Sequence, residues 1–156
     1  MTRPAPSKIA RVLLADDDPG VLLGMSVSLS RAGFEVTAVE DGAAAIALAG
    51  SSRFELVVVD LHMKTSGLAV IGHYKQRYGT GVYCAVLSGE DNEDTRATCL
   101  SAGADDVFVK PVPGPALRRR LAEAALALRA GAEAEARDQA GDQAGLQAGV
   151  RIERSA

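Results

Sequence analysis

The chain has 156 residues, a formal net charge of -3 and an apolar fraction of 47%. That length fits one domain with a tail, and the slight acidity gives no electrostatic case for nucleic acid or an anionic membrane surface. No segment approaches the ~20 apolar residues of a membrane span, and Arg3, Lys8 and Arg11 precede too short an apolar run for a signal peptide, so a cytoplasmic location with no membrane partner is expected.

Residues 1–8 read as a loose, proline-containing lead-in. Ile9 to Ala15 (IARVLLA) reads as a strand and runs into Asp16-Asp17-Asp18. Pro19 suits the first turn of a helix and an Asp before it suits the N-cap. Leu22, Met25 and Leu29 then recur at helical spacing up to Ala32, where Gly33 stops the helix. Phe34 to Val39 alternates like a strand, and Gly42 to Ala49 is an Ala-rich helix. Phe54 to Asp60 (FELVVVD) is a short β-branched run, the pattern of a buried strand. Gly67 to Tyr78 fits a helix, Val82 to Ser88 a fourth strand, and Asp91 to Ala102 a helix ended by Gly103. Val107 to Val109 is a short fifth strand before Lys110-Pro111. Pro115 to Ala130 is a last helix with Leu117, Leu121, Ala124, Ala125 and Leu128 on one stripe. Cys84 and Cys99 match no metal-ligand spacing and read as buried free thiols.

Five strands alternating with five helices imply an α/β domain over residues 9–130, with a parallel sheet covered on both faces. After residue 130 the character changes to DQAG, DQAG, LQAG over Asp138 to Gly149. A glycine every fourth residue lowers helix stability by about 1 kcal/mol each relative to alanine. Residues 131–156 therefore read as a low-complexity tail: disordered, a frayed extension of the last helix, or an extension that pairs with a second chain as a homodimer.

The strand tips carry the chemistry. Asp16 and Asp17 follow the first strand, Asp60 ends the third, Ser88 the fourth, and Lys110 follows the fifth. In open parallel sheets, sites lie at the carboxyl ends of the strands. Three carboxylates gathered there repel one another, and a divalent cation relieves that. Hard oxygen ligands suit Mg²⁺, which takes one or two carboxylates plus a phosphate. Lys110 and Ser88 supply a positive charge and a hydroxyl for the oxygens of a bound anion, which makes Asp60 the candidate nucleophile of a phosphoryl transfer.

On these residues the sequence resembles the receiver domain of bacterial two-component response regulators. The matching motifs are Asp16-Asp17 after VLLA, Asp60 after LVVV, Ser88-Gly89 after AVL and Lys110-Pro111 after GADDVFV, within residues 9–130. The resemblance implies a flavodoxin-like (βα)5 doubly wound sheet of strand order 2-1-3-4-5. It implies a sensor histidine kinase or phosphotransferase as phosphoryl donor and Asp60 as acceptor. Mg²⁺ would be held by Asp16 or Asp17, by Asp60 and by the backbone carbonyl of His62. Ser88 and Lys110 would contact the phosphoryl group, and the Lys110-Pro111 bond would be cis. The protein would be no enzyme in the ordinary sense but a phosphoacceptor that assists its own phosphorylation and dephosphorylation. It would signal to a downstream protein through a switching surface, because the residues after 130 are too few for a DNA-binding helix-turn-helix or a catalytic domain.

The departures from that family matter as much. Lys64 stands where the family commonly has Pro, and Gly67 comes seven residues after Asp60 where the family has it at eight, so the loop is one residue short. Val107 stands where the family often has an aromatic residue, and Phe108 should point to the opposite face of the strand. These departures support an alternative, a phosphorylation-independent pseudo-receiver adaptor. A weaker alternative is a haloacid-dehalogenase-type phosphatase, since Asp16-Asp17-Asp18-Pro19-Gly20 is loosely similar to the start of that family. In that reading Asp60 would have no role.

Overall fold

The structure is a computed structural model that describes residues 7–154. Residues 1–6 of the expected lead-in lie outside the described residues. Five strands, β1 (Arg11–Ala15), β2 (Glu35–Val39), β3 (Leu56–Asp60), β4 (Tyr83–Ser88) and β5 (Asp106–Val109), form one sheet. Between and after them come α1 (Pro19–Arg31), α2 (Gly42–Leu48), α3 (Gly67–Tyr78), α4 (Glu93–Ser101) and α5 (Gly114–Arg154). All pairings are parallel and the order is β2-β1-β3-β4-β5, the flavodoxin-like arrangement expected.

The strands are buried on both faces because their alternate residues feed two cores. Leu13, Val57, Val59, Cys84 and Val86 face α2, α3 and α4, where they meet Ala45, Ile71, Tyr74 and Cys99. Val12, Leu14, Leu56, Val58, Ala85 and Leu87 face α1 and α5, where they meet Leu22, Leu29, Leu117 and Leu121. Each fully buried side chain of this size contributes about 1.5–3 kcal/mol. The period of two along the strands therefore locks the register, because a slip of one residue would exchange the two cores. Val107 and Phe108 split as expected, Val107 against the α2–α3–α4 side and Phe108 against the α1–α5 side.

Element boundaries differ from the sequence reading in a few places, each for a local reason. The fourth helix begins at Glu93, not Asp91, because Asn92 is its N-cap and accepts from the Thr95 amide at 2.8 Å. The fifth strand begins at Asp106, one residue early, and Asp105 binds the Cys84 amide at 2.8 Å. The last helix does not stop at Ala130 but runs on to Arg154, 41 residues in all. Helix α4 is the least anchored of the five, with Cys99 its one buried residue. Cys84 and Cys99 are free and buried, and burial pushes the Cys84 thiol up to about 12. Among the described residues no helix is long and apolar enough to cross a membrane.

Candidate phosphoryl-transfer site

The sheet registers bring the polar strand tips level. Beyond the strand ends the hydrogen-bond ladder continues: the Asp16 amide bonds to Val39 O, the Leu61 amide to Leu87 O and the Lys110 amide to Ser88 O. Asp16, Asp60, Ser88 and Lys110 therefore share the carboxyl edge of β1, β3, β4 and β5. Asp16 and Asp60 are 2% and 7% exposed and Ser88 is fully buried. A buried carboxylate is costly without a partner, so the partners define the site.

Lys110 is that partner. Its Nζ lies 3.0 Å from Asp16 Oδ2 and 3.1 Å from Asp60 Oδ1. The other oxygen of Asp16 accepts the Asp18 amide at 2.9 Å, which ties the β1–α1 turn. Asp18 is the N-cap of α1, and its Oδ1 accepts from the Gly20 and Val21 amides. Asp17 is exposed at the rim. Oxygens of Asp16, Asp17 and Asp60 come within 4.8 Å of one another. Burial raises the pKa of Asp60, Lys110 works against that rise, and the neighbouring Asp16 and Asp17 charges add to it. Burial works against the Lys110 ammonium, but its hydrogen bonds to Asp16 and Asp60 outweigh that and raise its pKa. One lysine thus serves two carboxylates with a third beside them, an imbalance that leaves room for a further cation.

The loop after β3 closes tightly. A Cβ on Gly67 would lie 2.3 Å from the Asp60 carbonyl oxygen, so only glycine lets α3 start against the strand that ends in Asp60. A Cβ on Gly42 would lie 2.5 Å from the Thr65 carbonyl oxygen, so α2 packs equally close to the same loop. The short loop is accommodated by these two close approaches. Lys64 is exposed. The Lys110-Pro111 peptide is cis, as the resemblance implied.

The Ser88 hydroxyl and the His62 side chain both pair with Glu90. The Ser88 hydroxyl accepts from the Glu90 amide at 3.0 Å and donates to the Glu90 carbonyl at 3.2 Å. The His62 ring nitrogen Nε2 lies 3.1 Å from Glu90 Oε1, and the other Glu90 oxygen accepts from the Thr95 hydroxyl at 2.7 Å. Those hydrogen bonds, from Thr95 first and His62 second, lower the Glu90 pKa. The Glu90–Thr95 pairing was not legible in sequence; the five-residue separation on a helix entry was the one available signal. Tyr74 is buried and donates its hydroxyl to Ala45 O at 2.7 Å.

Comparison with known proteins bears on this arrangement. Residues 12–122 match the model of the response regulator receiver domain. Transcriptional regulatory protein PrrA of Mycobacterium tuberculosis is 38% identical over 102 residues, 65% of this chain and 43% of that protein. Transcriptional regulatory protein QseB of Haemophilus influenzae is 33% identical over 102 residues, 65% of this chain and 46% of that protein. The chain thus spans less than half the length of these curated relatives. Among solved structures, a CheY-like response regulator receiver domain protein of Methanospirillum hungatei aligns with a TM-score of 0.73 at 21% identity. That alignment covers 81% of this chain and 99% of the other, and is a likeness of fold alone. The chemotaxis response regulator CheY4 of Vibrio cholerae aligns with a TM-score of 0.67 at 25% identity, over 74% and 98% of the two chains.

Proposed function

This chain belongs to the family of response regulator receiver domains, and from that premise we propose that it is a phospho-accepting switch whose acceptor is Asp60. The observation that carries the reading is the cluster of Asp16, Asp17 and Asp60 at the carboxyl edge of the sheet, with Lys110 bridging Asp16 and Asp60. In the proposed step a carboxylate oxygen of Asp60 attacks the phosphorus of a phosphohistidine on a sensor kinase or phosphotransferase. The P–N bond breaks, an acyl phosphate forms, and the leaving imidazole takes a proton. Lys110 stays within reach of both carboxylates and neutralises charge that accumulates on the phosphoryl oxygens. The Ser88 hydroxyl leaves Glu90 and donates to one of those oxygens.

The donor set fits a hard divalent cation: carboxylate oxygens only, three of them clustered, with a lysine already drawn to the same place. Mg²⁺ would be held by Asp16 or Asp17, by Asp60 and by the backbone carbonyl of His62. When bound, it supplies electrostatic shielding between the acceptor carboxylate and the incoming phosphoryl group. The chain is then a phosphoacceptor that assists its own phosphorylation and dephosphorylation, and it acts on a downstream protein. The test is intact mass after incubation with Mg²⁺ and acetyl phosphate. We expect one added phosphoryl group on the wild type and none on Asp60→Ala; an equal gain on both would sink the reading.

A second reading, a phosphorylation-independent adaptor, is favoured by one observation. Position 107 is a valine packed into the α2–α3–α4 core, so no aromatic side chain stands there to change place on activation. Absence of both Mg²⁺ binding and phosphoryl gain would select it.

A further inference from the structure

Between α1 and the segment that leads from β5 into α5 lies a cleft of about 540 Å³. Small-molecule sites are concave, of this size, and mostly apolar, with a few placed polar groups that fix the ligand's orientation. The cleft has that make-up. Met25, Leu29, Leu87 and Leu117 line it and belong to the core between the sheet and the helices α1 and α5. Pro111 and Val112 add further apolar wall. Gly24 keeps it open: the residue lines the cleft, and a Cβ there would meet nothing within 4 Å.

The polar groups sit together at one place. Ser28 lines the cleft, and its hydroxyl accepts from Arg118 Nη1 at 2.8 Å. The same nitrogen would lie 3.0 Å from a Cβ on Gly114, so the arginine folds back over the start of α5 to the edge of the cleft. Among the described residues Arg118 forms no ion pair with a carboxylate. A guanidinium carries five N–H donors in a fork that matches a carboxylate, and the bond to Ser28 uses one of them. The first turn of α5 carries no acidic residue, and the positive end of a helix adds to the pull on an anion. An apolar cleft with an unpaired cation at its edge calls for an occupant with an apolar body and one negative charge. Lys110 lines the cleft as well, with its Nζ held by Asp16 and Asp60, so such an occupant meets that lysine along its stem.

We propose that the cleft between α1 and the start of α5 binds a small apolar carboxylate, with its body among Met25, Leu29, Leu87 and Leu117 and its charge on Arg118. Binding does not require phosphorylation of Asp60, so it is tested without a phosphodonor, and its failure leaves the phosphoacceptor reading as it stands. The experiment is an NMR titration of the isotope-labelled full chain with naphthylacetate and with octanoate, and with naphthylacetamide as the uncharged counterpart. The acids should give saturable shifts at the amides of Gly20, Gly24 and Gly114, with Kd on the order of 0.1–1 mM; the tighter of the two shows whether the cleft favours a ring or a chain. The amide should bind about tenfold more weakly. Arg118→Gln should weaken the acids about tenfold and leave the amide unchanged. Gly24→Leu replaces a poor helix former with a good one, so it should abolish binding of every probe without lowering the thermal midpoint. Arg118→Gln tests the charge whether or not Gly24→Leu folds. No saturable shift by either acid up to about 10 mM would leave the cleft to a side chain of a protein partner and overturn the proposal. So would saturable shifts confined to another part of the domain, equal affinity for acid and amide, acid affinity unmoved by Arg118→Gln, or binding that survives in a folded Gly24→Leu variant.

Discussion

The two ends of the sheet are built from the same residue types and do opposite things with them. At the amino end several charges are paired one to one. Lys75 pairs with Asp105 at 2.7 Å and donates to Val82 O at 2.7 Å. Arg120 meets Asp106 at 2.7 Å, Asp106 also accepts the Tyr83 hydroxyl at 2.7 Å, and the guanidinium lies 5.0 Å from the Tyr83 ring centre. Arg53 sits over the Tyr78 ring at 4.1 Å and donates to Phe54 O. At the carboxyl end one lysine serves two nearly buried carboxylates, with a third at the rim. These amino-end side chains are satisfied within the chain. The carboxyl end is left short of positive charge, and groups held in that condition are where binding and chemistry take place. Burial raises the Tyr83 hydroxyl pKa far above its usual value, and Asp106 adds to that, so this tyrosine is a fixed donor rather than a titrating group.

The contrast can be broken most severely at the loop. Gly67→Ala puts a methyl group against the Asp60 carbonyl and should cost about 3 kcal/mol or more, since that neighbour is backbone and cannot turn aside. Chemical denaturation would show it, and a cost under about 1 kcal/mol would mean that the loop is looser than the structure has it. Lys110→Met removes the shared cation from the site. In metal-free buffer at pH 7 it should destabilise by roughly 2 kcal/mol, less than a fully buried pair because the lysine is partly exposed. Added Mg²⁺ should recover more stability in this variant than in the wild type, measured as the shift in thermal midpoint.

At the amino end, Tyr83→Phe deletes one donor to an acid that keeps Arg120, so the loss should be about 1 kcal/mol with no effect on phosphoryl gain. A change in phosphorylation there would contradict the division of labour between the two ends.

The smallest effect has the opposite sign. Asp60 has a folded-state pKa above its unfolded value. Its ionised form therefore costs stability, fully so above the folded pKa, and the cost disappears as pH falls below the unfolded value of about 3.9. Asp60→Asn should raise the thermal midpoint at pH 7 without metal by about 2–4 °C. The gain should shrink on acidification, and a loss of stability at neutral pH would show that Lys110 overcompensates the burial.

The strand tips were legible because they obey a local rule. A short β-branched run can end in Asp, Ser or Lys only where the chain leaves the core, so Asp16, Asp60, Ser88 and Lys110 announced one edge of one sheet before any packing was known. The five-fold alternation of strand and helix patterns fixed the fold class in the same way. By itself, then, the amino-acid order determined the parallel α/β architecture, the polar edge and the residues on it.

What only the tertiary structure decided depends on elements far apart in the chain. Lys110 reaches both Asp16 and Asp60, and Tyr74 finds the carbonyl of Ala45. Asp105 and Asp106 are partners of Lys75, Arg120 and Tyr83. Gly42 proved to be pressed against Thr65. No periodicity encodes these pairings, because a side chain's partner is set by which helix lands beside which strand and at what distance. Ser88 shows the limit most plainly: its position at the edge follows from the strand, but its hydroxyl turns to Glu90 because the nearest unpaired backbone amide lies two residues on.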